Sequence, residues 1–177
     1  MPLRARERSH RTIDQRLALR FPGPAVALYR LVDLFPPRSR IRRLSLQRAA
    51  RMGLEAYNRR DLEAASLAFT PDLEYYPYRE FVEAGLAEAC YHGPAGYRAY
   101  IEATYEVWGT DVKVYPTELI DLGDRVVVLA DMPMTAQASG ISLAETYACV
   151  ATLRGGRVCR QRDFLHHAEA LEAAGLS

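Results

Sequence analysis

The hydrophobic pattern of this chain changes its period once, after Trp108. Upstream, apolar residues recur every three to four positions, as on one face of a helix; downstream they alternate, as on one face of a strand. Four alternating runs follow one another, at residues 112–120, 125–136, 141–153 and 157–165. Short segments with turn residues separate them. Consecutive strands joined by tight turns pair antiparallel, so the C-terminal part is predicted to be an antiparallel meander.

The upstream part supplies the helices that such a sheet packs against. Residues 93–108 carry apolar side chains at i, i+3, i+4, i+7, i+8 and i+11, and residues 41–58 and 24–35 show similar stripes. One strand is expected at 73–78, and a last short helix at 167–174. With 177 residues, 49% of them hydrophobic, the chain suits one core. The predicted fold class is α+β, with helices covering one face of a curved antiparallel sheet.

The N-terminal part differs from the rest in charge. Residues 1–60 contain fifteen arginines and four acidic residues, a net charge of +11, whereas residues 61–177 carry a net charge of −10. We therefore divide the chain into a basic N-terminal arm and helix at 1–40, weakly ordered up to residue 23, and an α+β domain at 41–177. Pairing of these charges within the molecule or a dimer is favoured over nucleic-acid or membrane contact by the arm, which stays open.

The cysteines indicate neither a disulfide framework nor a zinc site. Cys90, Cys149 and Cys159 are odd in number and lack Cys-x-x-Cys spacing or a neighbouring Cys/His cluster. Neither a secretory leader pattern nor an apolar run long enough to span a bilayer is evident. We therefore expect a cytoplasmic protein without a metal or cofactor.

Several short segments carry a family resemblance: YNRRD at 57–61, FTPDLE at 69–74, YHGPAG at 91–96, DLGDRV at 121–126 and LRGGRV at 153–158. With the element order, they resemble the SnoaL-like branch of the nuclear-transport-factor-2-like superfamily, over roughly residues 41–175. The resemblance implies that the sheet curls around helices to form a conical pocket. It also implies a homodimer. The superfamily includes polyketide cyclases, ketosteroid isomerases, epoxide hydrolases, dehydratases and binding proteins, so the resemblance specifies a cavity rather than a reaction.

Two aspartates are the candidate catalytic residues. Asp163 lies in QRDFLH at 161–166, which is similar to a segment of limonene-epoxide-hydrolase-like proteins whose first Asp activates water; strand alternation places Asp163 towards the pocket. Asp131 interrupts an apolar strand, where a carboxylate needs a partner. Two carboxylates in one dry cavity would separate their pKa values into an acid and a base. For each, a structural role as a paired or solvent-exposed carboxylate stays open. In those hydrolases an Arg stands two positions before the second Asp; here Leu129 does, which disfavours epoxide opening.

The pocket is expected to be lined by aromatic and polar side chains. The predicted ligand-binding residues are Tyr57, Tyr76, Tyr105, Trp108, Glu145, Tyr147, Cys149 and Gln161. Positions that carry the proton-transfer groups of ketosteroid isomerases align approximately with Gly53, Tyr76 and Cys149, which disfavours that reaction. We predict a domain that binds a small, largely apolar organic molecule, with cofactor-free acid/base chemistry of cyclase, isomerase or hydratase type. The alternative is a non-catalytic ligand-binding or dimerisation module; the sequence does not decide whether the protein is an enzyme.

Overall fold

A computed structural model describes residues 9–37, 39–108, 112–135 and 142–176, with the backbone alone at 107–108, 134–135 and 142–145. The strands in these ranges are β1 (Phe69–Tyr76), β2 (Tyr91–His92), β3 (Tyr115–Asp121), β4 (Arg125–Thr135), β5 (Ser142–Arg154) and β6 (Arg157–Phe164). The helices are α1 (Ile13–Arg20), α2 (Pro22–Asp33), α3 (Arg40–Asn58), α4 (Leu62–Ala65), α5 (Arg79–Glu83), α6 (Gly93–Trp108) and α7 (His167–Ala173).

All six strands belong to one sheet, in the order β2-β1-β6-β5-β4-β3. Strands β3 to β6 form the predicted antiparallel meander, and β2 pairs antiparallel with β1. The pair β1 with β6 is parallel, which the expected all-antiparallel sheet did not include. These two strands are joined through the rest of the sheet and α6 rather than by a hairpin, so nothing forces them to run in opposite directions.

The sheet is covered on both faces, and this decides which side chains meet in its interior. On the inner face, Val128 and Ala130 share a core cluster with Leu54 of α3. On the outer face, Val127 and Leu129 pack with helix α7. The predicted α+β class, a curved sheet around helices with an N-terminal helical extension, is therefore confirmed.

The N-terminal segment is more regular than expected. Residues up to 23 were predicted to be weakly ordered, but α1 begins with a capping box between Thr12 and Gln15. The Gln15 side chain is fully buried and donates a hydrogen bond to the Met52 carbonyl, 3.0 Å away. The prediction was wrong for this helix because local capping and burial outweigh its high charge.

Helix α2 packs closely against the turn between β5 and β6. Gly155 and Gly156, between β5 and β6, have φ values of 59° and 72°, which glycine adopts without strain. A Cβ atom on Gly156 would lie 2.1 Å from the Tyr29 carbonyl oxygen, so α2 approaches as closely as a missing side chain allows. This turn therefore needs glycine both for its conformation and for the contact with α2.

A buried arginine fixes the C-terminal end of α2. The Arg42 guanidinium, with 4% of its side chain exposed, donates to the carboxylates of Asp33 at 3.0 Å and Asp121 at 3.1 Å. It also donates to the carbonyl of Gly123 in the turn between β3 and β4. Because Asp33 ends α2 and Asp121 ends β3, this network joins the N-terminal helices to the sheet.

Charge pairing within the molecule extends beyond Arg42. Arg11 forms ion pairs with Asp61 at 2.7 Å and Glu63 at 2.8 Å, and Arg59 pairs with Asp61. Part of the basic N-terminal charge is thus balanced by acids from the remainder of the chain. No helix in the described ranges is both long and apolar enough to cross a bilayer.

Candidate functional site

Between α3, α6 and the inner face of the sheet lies a cavity of about 320 Å³, here called the first cavity. Its wall is aliphatic and aromatic, with Leu54, Phe81, Ile101, Met132 and Leu165 among the apolar members. Seven tyrosines also line it: Tyr57, Tyr75, Tyr78, Tyr97, Tyr100, Tyr105 and Tyr147. The volume lies within the range of small-molecule sites, and the composition suits an apolar ligand with a few oxygen atoms.

Asp163 is the acidic residue of this wall. It stands on β6 with 6% of its surface exposed. Its Oδ1 atom accepts hydrogen bonds from the Gln161 amide at 2.9 Å and the Tyr147 hydroxyl at 3.1 Å, and its Oδ2 atom accepts one from the Tyr75 hydroxyl at 2.5 Å. Three neutral donors from three positions on the inner face therefore hold the carboxyl group in place.

The electrostatic setting of Asp163 raises its proton affinity. Removal from water raises the pKa to about 6, against the opposing effect of the hydrogen bonds from Tyr75, Gln161 and Tyr147. Among the described residues, no arginine, lysine or histidine forms an ion pair with it. Asp163 is therefore not the arginine-paired carboxylate that the structural alternative requires. A carboxyl group with a pKa near 6 is suited to accept or release a proton close to neutral pH.

The surrounding tyrosines are hydrogen-bond donors. Burial and the nearby Asp163 carboxylate raise the pKa of Tyr75 and Tyr147 well above the ordinary value, so both hydroxyls keep their protons. The Tyr100 hydroxyl is buried and has no hydrogen-bond partner among the described residues. Since unpartnered buried hydroxyls are uncommon, Tyr100 is a candidate donor to a ligand oxygen.

Asp131 does not join Asp163 in the cavity, and the expected catalytic pair is wrong. Asp131 is exposed, and by strand alternation it shares the outer face of β4 with Val127 and Leu129. An aspartate is tolerated in this apolar strand because Asp131 follows the segment that α7 covers, so its carboxylate is solvated by water.

Tyr76 also faces away from the cavity, and the preceding residue, Tyr75, lines the cavity instead. Leu73 and Tyr75 are buried with 0% and 1% exposure, whereas the Tyr76 hydroxyl donates to Glu74 on the other face and its ring contacts Arg160. The alternation that starts at Leu73 identifies Tyr75 as the inward residue, and this signal was present in the sequence.

The remaining predicted residues are divided between two cavities. Tyr57, Tyr105 and Tyr147 line the first cavity. Cys149 and Gln161 line a second cavity, also of about 320 Å³, which α2, α3 and the sheet enclose. Burial raises the pKa of the Cys149 thiol to about 12, so it is neutral. The side chains of Trp108 and Glu145 lie outside the described residues.

Sequence reasoning omitted several residues of the first cavity from the site. The sequence pattern places Tyr97 in the helical stripe of α6 and Tyr78 at the end of a strand. It favours Tyr100 as an aromatic residue that reaches a cavity, but Tyr100 was not among the predicted ligand-binding residues. In the structure Tyr78 and Tyr147 pack edge to face with ring centroids 6.5 Å apart. The described part of the chain contains no group of three or more His, Cys, Asp or Glu side chains placed to hold a metal ion.

Comparison with known proteins agrees with this architecture. A model of the SnoaL-like domain family matches residues 50–161. The crystal structure of TerC co-crystallized with polyporic acid is 25% identical, with a TM-score of 0.60 over 71% of this chain and 96% of that one. An NTF2-like protein of unknown function from Burkholderia pseudomallei is 27% identical, with a TM-score of 0.59 over 71% and 93%.

A putative isomerase from Bacillus subtilis shares the fold at 17% identity, with a TM-score of 0.53 over 73% of this chain and 92% of that chain. No curated protein matches this sequence.

Proposed function

Since this chain belongs to the SnoaL-like domain family, we propose that its first cavity binds a small, largely apolar, oxygen-bearing organic molecule and that Asp163 exchanges a proton with it. The observation that carries the proposal is the single carboxyl group, buried among apolar side chains and held by three neutral donors. The crystal structure of TerC with polyporic acid supports an organic ligand for this type of domain.

In the proposed reaction the Asp163 carboxylate takes a proton from an acidic C–H group beside a carbonyl, or from a hydroxyl group. The electron pair of the broken bond moves towards the ligand oxygen, to which the Tyr100 hydroxyl donates a hydrogen bond. The protonated Asp163 then returns the proton to another atom of the ligand. Cyclisation and isomerisation need only such proton movement, and hydration needs in addition a water molecule that adds to the ligand; none of the three requires a cofactor.

Ligand binding is tested by titrating the protein with polyporic acid in a calorimeter. We expect the wild type and Asp131→Asn to bind equally, because Asp131 is exposed on the outer face. Tyr100→Phe should bind about fivefold more weakly if its hydroxyl donates to the ligand, since one hydrogen bond is worth about 1 kcal/mol. Equal binding by Tyr100→Phe and the wild type would remove Tyr100 from the site.

Proton transfer is tested with a simple ketone, 2-tetralone, whose exchange of C–H protons for deuterium in D₂O is followed by NMR. The wild type should accelerate the exchange and Asp163→Asn should not, although the two side chains have nearly the same shape. Asp131→Asn is the matched control and should exchange as fast as the wild type. Equal rates with and without Asp163 would contradict the role of Asp163 as a base.

A binding function without turnover is the second candidate, and one observation favours it. The second carboxylate that a two-acid mechanism needs is exposed rather than inside the cavity. Binding of polyporic acid together with unaccelerated exchange of 2-tetralone would support this candidate over the catalytic one.

A further inference from the structure

The second cavity is built partly from residues outside the matched SnoaL-like segment. Ala25, Leu28 and Val32 of α2 form one wall, and the family match begins only at residue 50. None of the twelve residues of α2 is buried, and Leu28 is 61% exposed, so α2 forms an outer wall of the cavity next to solvent. The N-terminal helices thus add a compartment to the domain.

The architecture keeps this compartment open. Gly156 contacts the backbone of α2 at Tyr29, and the Arg42 network holds Asp33 one turn further along, so both supports act on the C-terminal half of the helix. Facing α2 across the cavity, α3 and the sheet present small side chains, including Ala49, Gly53 and Ala151. Because the facing residues are short, they leave space beneath the helix.

The chemistry of the lining indicates the kind of occupant. Its charged members in the described structure, Asp14 and Arg48, form an ion pair with each other near the protein surface. The amide of Gln161 donates to Asp163 and to Tyr147. These charged and amide groups are therefore already paired, and most of the remaining wall is aliphatic or aromatic, with a few hydroxyl groups and the Cys149 thiol. A ligand here gains mainly from burial of apolar surface.

We propose that the second cavity is a binding site for a hydrocarbon chain. Its volume of about 320 Å³ is that of a small-molecule site, and its mainly apolar lining suits an unbranched alkyl chain of medium length. The site adjoins the first cavity, since Leu54, Tyr57, Tyr97 and Tyr147 line both, but α2 contributes only to the second. The proposal does not depend on proton transfer by Asp163.

The test uses neutral alcohols, so that attraction to the arginine-rich N-terminal helices does not contribute to binding. Hexan-1-ol, octan-1-ol and decan-1-ol are titrated into the full-length protein by calorimetry. Affinity should rise about fourfold for each added methylene, as expected for complete burial of the chain. An affinity that does not depend on chain length would overturn the proposal.

Two matched substitutions on α2 locate the site. Ala25 lines the second cavity and Ala27 is exposed, so Ala25→Phe should weaken decan-1-ol binding about tenfold or more, and Ala27→Phe should leave it unchanged. Ala49→Phe fills the same cavity from α3 and serves if Ala25→Phe does not fold. Ile101→Phe narrows the first cavity and should have no effect. Loss of binding in Ile101→Phe alone, or equal binding by the variants of Ala25 and Ala27, would overturn the assignment.

Discussion

Replacement of Asp163 by asparagine should stabilise the folded protein above neutral pH. The two side chains have the same shape, so the asparagine Oδ1 atom can accept the hydrogen bonds from Gln161 and Tyr147. Its amide group can donate to the Tyr75 hydroxyl, which then acts as an acceptor. The substitution therefore keeps the shape of the side chain, reverses the hydrogen bond with Tyr75 and removes the ionisation.

The size and sign of this difference in the free energy of unfolding follow from the pKa of Asp163. Burial raises it to about 6 from the ordinary 3.8, so the folded state binds the proton more tightly than the unfolded state. The free energy of unfolding of the wild type must then fall as pH rises through the interval from about 4 to 6. A difference of about two in pKa corresponds to about 3 kcal/mol, which the wild type loses above pH 7 and Asp163→Asn does not.

Urea unfolding of both proteins between pH 4 and pH 8 measures this difference. Near pH 4 the two should be similarly stable, and above pH 7 Asp163→Asn should exceed the wild type by up to about 3 kcal/mol. Asp131→Asn, on the exposed outer face, should show no such dependence. A difference that stays constant across the series, or that favours the wild type at high pH, would mean that the Asp163 carboxyl is solvated in the folded protein.

Three further predictions concern packing and charge. Gly156→Ala should lower the melting temperature far more than Gly85→Ala, since both residues have positive φ but only Gly156 contacts the backbone of another segment. Equal decreases in melting temperature would contradict the close contact between Gly156 and α2. Arg42→Met should destabilise by about 3–5 kcal/mol because it leaves two acids without their buried cation, whereas loss of the exposed Arg48 pair should cost less than about 1 kcal/mol in urea unfolding. Tyr75→Phe should raise the pKa of the cavity carboxyl above 6 in an NMR titration, because the lost hydrogen bond stabilises the charged form; an unchanged pKa would contradict this contact.

The fold could be predicted from the sequence because its main signals are local. The alternation in β3 to β6 and the turns between them define the meander, and the apolar stripe of α6 defines its helix. The parallel pairing of β1 with β6 could not be predicted, because no turn joins the two strands. The capped helix α1 was also not predicted: its Thr12–Gln15 capping box is local, but the burial of Gln15 against Met52 depends on a distant segment.

The residues of the candidate site were harder to predict, because the face of the sheet to which a side chain points can be inferred only if the two faces are covered differently. In β4, residues 126–130 are all buried, since α3 covers one face and α7 the other. A uniformly apolar run gives no information about direction, and Asp131 was assigned to the wrong face. In β6, by contrast, exposed Arg160 and Arg162 alternate with buried Gln161 and Asp163, so the inward direction of Asp163 can be read from the residues.

The parallel pairing of β1 with β6 determines when, during folding, the proton affinity of Asp163 is raised. Tyr75 and Asp163 are 88 residues apart in sequence, and they meet only when these two strands are side by side. A partly folded chain that has formed the C-terminal hairpins alone would leave this carboxyl hydrated, and it would titrate like an aspartate in a short peptide. The proton affinity of one side chain thus reports whether two segments 88 residues apart have come together.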